Sequence, residues 1–233
     1  MAAQAAFFDV DETLITVSSA VDFLDYRMGR SRDPRTSAWR LLAPAARLER
    51  TAANRAYFAL YAGVSVADAT AQGRAWFAEL AAAGGLFHPP VLAELRAHAE
   101  RGTRVVLVSG SFAPCLDPIA EAVGADTVLC TEPEAVCGVY TGATARSMIG
   151  PTKVLAVRAY LRAHGISAAD CHAYGDHASD LPLLSEVGTP VVVGADPVLT
   201  LLARRRGWRT VPGTAPYRET VSRFLTTAGV PSL

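Results

Sequence analysis

The chain has 233 residues, 51% hydrophobic and 19% charged, and its 22 basic residues balance 22 acidic ones. That composition supplies a packed core and excludes global disorder; zero net charge removes the basic excess a nucleic-acid partner would need. No apolar run is long enough to span a bilayer.

The first residues lack the charged start and long apolar core of a signal peptide. The four cysteines (Cys115, Cys130, Cys137, Cys171) form no CxxC pattern and read as small buried apolar residues in a reducing, cytoplasmic setting.

The apolar run at 5–8 predicts a buried strand, followed at once by Asp9-Val10-Asp11-Glu12-Thr13. Side chains two apart on an extended chain point the same way, so Asp9 and Asp11 form a like-charged pair. Such a pair binds a metal or manages a proton, or else is the Asp-rich turn that commonly follows a strand. Next, Ser18 and Ser19 predict a helix cap, with Gly29 as its stop. Asp33-Pro34 starts a second helix. The amphipathic stretch 47–61 gives a third, and Ser65-Val66-Ala67-Asp68 caps a fourth that runs to Gly84-Gly85. Residues 16–86 therefore read as an all-helical unit inserted between the first two strands.

From residue 90 onward helices and strands alternate. Helices are expected over 90–101, 114–123, 152–164, 181–186 and 197–206. Strands are expected over 104–108, 127–130, 171–174, 190–193 and 208–211. Residues 136–141 read as a small hairpin with turns at Gly138 and Gly142. The alternation predicts an α/β fold, a Rossmann-like doubly wound parallel sheet with an inserted all-helical cap. Ligands of such sheets sit at the carboxyl ends of the strands. Asp9 and Asp11, Ser109-Gly110, and Asp176 with Asp180 all follow strands, and Lys153 opens the helix preceding the Asp176 strand.

Hard carboxylate oxygens with room for water suit Mg2+. A Ser-Gly turn between strand and helix collects N–H groups that bind anions, and a lysine adds a point positive charge. Singly, each is a loop or a solvated helix residue; together they describe a magnesium–phosphate site. A carboxylate can attack phosphorus, and a second one can then serve as acid and base.

These motifs carry a resemblance. Asp9-Val10-Asp11-Glu12-Thr13, Val108-Ser109-Gly110, Lys153 and Gly175-Asp176-His177-Ala178-Ser179-Asp180 resemble the haloacid dehalogenase-like superfamily, in its phosphoserine-phosphatase-like branch. Gly138-Val139-Tyr140-Thr141-Gly142 and Arg205-Arg206-Gly207-Trp208 fit it too. The resemblance implies a catalytic core over 1–15 and 87–233 and a helical cap over 16–86 that selects the substrate. It implies that Asp9 is the nucleophile and that Asp11 is the general acid and base. It implies that Ser109, Gly110, Lys153 and Thr13 form the phosphate site. Asp9, Asp176 and the Asp11 carbonyl would hold Mg2+, with Asp180 orienting them from behind. The implied activity is that of a Mg-dependent phosphatase acting on a small-molecule phosphate ester, with no nucleic-acid or membrane partner. Oligomeric state is unreadable.

Two departures matter. Phosphoserine phosphatases carry a glutamate shortly after the first motif, but here Thr16-Val17-Ser18-Ser19 offers no acid before Asp22, which argues against phosphoserine itself. His177 stands where relatives have a small polar residue; it faces the leaving group or is a plain loop histidine. A phosphotransferase or mutase with the same phospho-Asp9 stays open, and a phospho-aspartate signalling module is the remote alternative. Residues 16–88 hold nine arginines (27, 30, 32, 35, 40, 47, 50, 55, 74) against six acids, a modest and solvated excess. Trp39, Tyr57, Phe58, Tyr61, Trp76 and Phe77 line a pocket or, at helical spacing, pack the core.

Overall fold

A computed structural model describes residues 4–29, 42 and 48–213 of the chain. The expected Asp33-Pro34 helix start, Trp39 and five of the arginines (Arg30, Arg32, Arg35, Arg40, Arg47) lie outside the described residues. Six strands form the central sheet in the order β3-β2-β1-β6-β7-β8, and every neighbouring pair is parallel. They are β1 (Ala5–Phe8), β2 (Arg104–Ser109), β3 (Thr127–Cys130), β6 (His172–Gly175), β7 (Thr189–Val193) and β8 (Arg209–Val211). Strand order reverses at β1, which pairs with β2 on one side and β6 on the other. The crevice for a ligand in such a sheet opens there.

The strands read as unbroken apolar runs because helices cover both faces. Ala6, Phe8, Val105, Leu107, Tyr174 and Val191 point to one face. There they meet α1 (Ser19–Arg27), α2 (Arg50–Ala59), α3 (Val66–Ala83), α4 (Pro89–Glu100) and α5 (Ala113–Val123). Ala5, Phe7, Val106, Val108, Ala173 and Val192 point the other way, to α6 (Pro151–His164), α7 (Leu181–Leu184) and α8 (Pro197–Arg206). The capping serines singled out in the sequence behave differently. Ser65 Oγ accepts the Asp68 N–H at 3.3 Å, whereas Ser18 stands at the cap of α1 without using its side chain.

Among the described residues, 16–86 form three helices, α1 to α3, and these share one core with the sheet. Tyr57, Phe58 and Tyr61 surround the ring of Phe112, with centroids 6.4, 5.2 and 5.0 Å away. Trp76 is fully buried and donates its indole N–H to Asp22 Oδ1 at 2.7 Å. These aromatics are core packing, not a pocket lining. The joint between α3 and α5 is close: a Cβ on Gly73 would lie 1.9 Å from the carbonyl oxygen of Pro114.

The hairpin is longer than its sequence suggested, with β4 (Glu132–Val136) paired antiparallel to β5 (Val139–Arg146). Its first half, Glu132-Pro133-Glu134, is largely exposed and carries little apolar signal. Cys137 and Gly138 turn the chain with φ of 49° and 77°, the type I′ pattern that matches strand twist. Cys137 is thus exposed at a tip, against the expectation of four buried cysteines, and Gly142 lies inside β5 instead of in a turn. Tyr140 exchanges backbone hydrogen bonds with Gly63 and Val64, each 2.9 Å, which ties the hairpin to the α2–α3 connection. No helix among the described residues is long and apolar enough to cross a membrane.

Candidate active site

The site grows from the end of β1. Asp9 continues the strand line by donating its N–H to the Tyr174 carbonyl of β6 at 3.0 Å. The chain then folds tightly: Leu14 and Ile15 both donate to the Val10 carbonyl, at 2.9 and 3.0 Å. Glu12 takes a left-handed φ of 61°, strain of the kind that clusters at functional loops. This turn brings Asp11 to the start of α1, where Oδ1 accepts the Ser19 N–H at 3.0 Å. A carboxylate is favoured there by the free N–H groups of the helix. Burial nonetheless raises the Asp11 pKa, with the hydrogen bonds from Ser19 opposing it.

Lys153 reaches in from the first turn of α6. Its ammonium donates to Asp9 Oδ1 at 2.5 Å and to Asp180 Oδ1 at 2.7 Å, and all three residues are buried. Burial pulls the Lys153 pKa down, but the charges of Asp180 and Asp9 outweigh it and hold the ammonium protonated. Gly175 makes room for this arrangement, since a Cβ there would sit 2.7 Å from Asp180 Cβ. Asp176, between them, accepts the Thr13 hydroxyl at 2.8 Å. Thr13, which supplies that hydroxyl, is fully buried beneath the loop.

Oxygens of Asp9, Asp176 and Asp180 all come within 4.8 Å of one another. Three carboxylates face one ammonium, and the imbalance is felt. Burial lifts Asp9 well above the usual carboxylate range; Lys153 opposes this, and Asp180 and Asp176 add to it. Asp176 is pushed up to about 7, by burial first and by Asp180 second. A divalent cation would relieve that repulsion, and a buried set of hard oxygens suits Mg2+. The residues present therefore fit such an ion. Asp180 belongs to the cluster, with Oδ1 engaged by Lys153 and Oδ2 accepting the His177 N–H at 3.4 Å.

On the other side of Asp9, β2 ends in Ser109-Gly110. Ser109 is buried, and its Oγ accepts the Ser111 N–H at 3.1 Å, leaving its own proton to donate. Four separated stretches of chain thus meet at one edge of the sheet.

A family model described as haloacid dehalogenase-like hydrolase matches residues 6–185. The chain belongs to that family. A phosphoserine phosphatase of Mycobacterium tuberculosis is 32% identical, with 98% of this chain and 75% of that protein covered. A Bordetella pertussis protein of unknown function has the same fold at a TM-score of 0.79 and 26% identity, covering 91% of this chain and 99% of that one. A phosphoserine phosphatase solved as a phospho-aspartyl intermediate analogue shares the fold at a TM-score of 0.65 and 17% identity, covering 96% and 99%.

Two further side chains of this haloacid dehalogenase-like hydrolase reach the motif loops, and its sequence did not single them out. Arg50 and Asn54, one turn apart on α2, face the two loops that carry the motifs. Arg50 Nη1 lies 2.9 Å from His177 Nδ1, which also accepts the Ser179 N–H at 3.0 Å. Both neighbours donate, so the proton of a neutral His177 sits on Nε2. His177 caps the short turn before α7. Asn54 Nδ2 donates to the Gly110 carbonyl at 2.9 Å, and its Oδ1 accepts the Ser147 hydroxyl at 2.7 Å. The Gly110 carbonyl accepts a second bond from Thr131 Oγ1 at 2.8 Å. The only signal in the sequence was the i, i+4 spacing of two polar residues, which a solvated helix face shows equally.

Proposed function

We propose that the chain is a Mg2+-dependent phosphatase of small phosphomonoesters, working through an aspartyl phosphate on Asp9. The observation that carries this reading is the buried ammonium of Lys153 bridging Asp9 and Asp180 beside Asp176. A nucleophilic carboxylate needs such neighbours, because phosphoryl transfer is governed by alignment and charge neutralisation.

Asp9 attacks phosphorus and the ester bond breaks. Asp11, whose raised pKa lets it carry a proton, gives that proton to the leaving oxygen. Asp11 then takes a proton from water, which attacks the acyl phosphate, releasing inorganic phosphate and restoring Asp9. Ser109, the Gly110 N–H and Lys153 hold the phosphoryl oxygens through the cycle. Mg2+, held by Asp9, Asp176 and the Asp11 carbonyl, would neutralise charge on the transferring group. Residues 16–86 act as the cap that shields the site and selects the ester. The first acid after Thr13 is Asp22, whose Oδ1 accepts the Trp76 indole N–H at 2.7 Å, and no glutamate follows the opening motif where phosphoserine phosphatases carry one. This disfavours phosphoserine among the candidate esters.

The test is release of inorganic phosphate from p-nitrophenyl phosphate with Mg2+ and no added alcohol. Turnover should vanish with EDTA and return with excess Mg2+. Release that persists after exhaustive chelation would end the metal reading, and none under any divalent ion would end the phosphatase reading.

A further inference from the structure

We propose that Asn54, on helix α2 outside every motif of the family, is a positioning residue for the phosphoryl-binding loop. The inference rests on the phosphatase reading above. The peptide unit joining Gly110 to Ser111 is planar and trans, so its C=O and N–H point in opposite directions. Whatever fixes the Gly110 carbonyl also aims the Ser111 N–H. Two donors fix that carbonyl, Asn54 Nδ2 at 2.9 Å and Thr131 Oγ1 at 2.8 Å. On the opposite side of the same peptide, the Ser111 N–H donates to Ser109 Oγ at 3.1 Å. That bond occupies an acceptor position of the hydroxyl and turns its proton toward an incoming phosphoryl oxygen.

Each donor is itself held. Asn54 Oδ1 accepts the Ser147 hydroxyl at 2.7 Å, and Thr131 Oγ1 accepts the Met148 N–H at 3.0 Å. The polarity of Asn54 follows from its partners, because a carbonyl can only accept and its neighbour must be the amide nitrogen. Asn54 comes from the inserted helices, 56 residues away in sequence from the loop it orients. The phosphoryl site is therefore complete only with α2 docked against it.

Asn54→Asp keeps the size and the acceptor for Ser147 but sets a carboxylate oxygen against the Gly110 carbonyl. A residue that merely fills space would tolerate it. The positioning role requires kcat/KM for p-nitrophenyl phosphate to fall about tenfold or more, and the inhibition constant of orthovanadate to rise in parallel, at a temperature where the variant is still fully folded. Asn54→Ala, which removes one neutral hydrogen bond, should fall about three- to tenfold. Thr131→Val should do the same, and Thr131→Ser, which keeps the hydroxyl, should recover most of the loss. Unchanged kcat/KM and vanadate inhibition in Asn54→Asp, with an active wild type, overturn this inference alone. A wild type without metal-dependent turnover overturns the phosphatase reading and this inference with it.

Discussion

Two polar clusters flank strand β6, one buried and one running from the buried Tyr174 and His98 to the surface, and they handle charge in opposite ways. At its carboxyl end, Asp9, Asp176 and Asp180 share one lysine, and at least two of those carboxyls are held far from their ordinary pKa. Behind the sheet, the Tyr174 hydroxyl donates to Glu94 at 3.1 Å and accepts from His98 Nε2 at 2.9 Å. Arg209 closes that chain on Glu94 at 2.8 Å, and Arg101 donates to His98 Nδ1 at 3.2 Å. Every polar group named there has a partner of matching polarity. The rear cluster is a satisfied network that stabilises the fold; the front one keeps an unbalanced charge that a cation and an ester can use.

Substitutions can break that contrast. Asp9→Asn should reduce phosphate release by at least about a thousandfold, as loss of a nucleophile does. It should leave the metal-free thermal midpoint unchanged or higher, since it removes a carboxylate that the fold disfavours; a sharp loss of stability would place Asp9 in a structural role. Asp11→Asn should slow turnover by about a hundredfold or more, the range for general acid–base catalysis. Acid-quench phosphate analysis would check whether acyl phosphate accumulates in it.

At the rear the expected effects pass to stability. Tyr174→Phe leaves His98 and Glu94 facing a lost hydroxyl and should cost about 1–3 kcal/mol by denaturant titration, with kcat changed less than about threefold. The smallest effect is acid sensitivity. Burial, then the charges of His172 and Arg101, lowers the His98 pKa to about 4. Because its folded value lies below its unfolded value near 6.5, the stability it provides is whole above that pH and is lost as pH falls toward 4. The expected loss from this residue between pH 7 and pH 5 is about 1–2 kcal/mol. His98→Gln should flatten that slope, and an unaltered slope would remove His98 as its source.

The sheet was legible because parallel strands covered on both faces are continuous apolar runs, as in Val105-Val106-Leu107-Val108. Asp9, Ser109, Lys153 and Asp176 were legible because each stands at a strand end or helix start where the fold leaves groups unsatisfied. Asn54 was not, because a polar residue facing inward from a helix looks in sequence like one facing water. The rear network escaped for a related reason: His98 belongs to an amphipathic helix and Tyr174 to an apolar strand, and only packing 76 residues apart pairs them. The first strand of the hairpin was hidden by its exposure, which removes the alternation that marks a half-buried strand.

Gly73 governs how near α3 can come to the first turn of α5, the helix that follows the Ser109-Gly110 loop. A single methyl at that position would meet the Pro114 oxygen head-on, and the helices would have to part before the side chain could be housed. Anyone transplanting this helical insert onto another scaffold must carry that hydrogen-only residue along, or accept an insert seated slightly ajar.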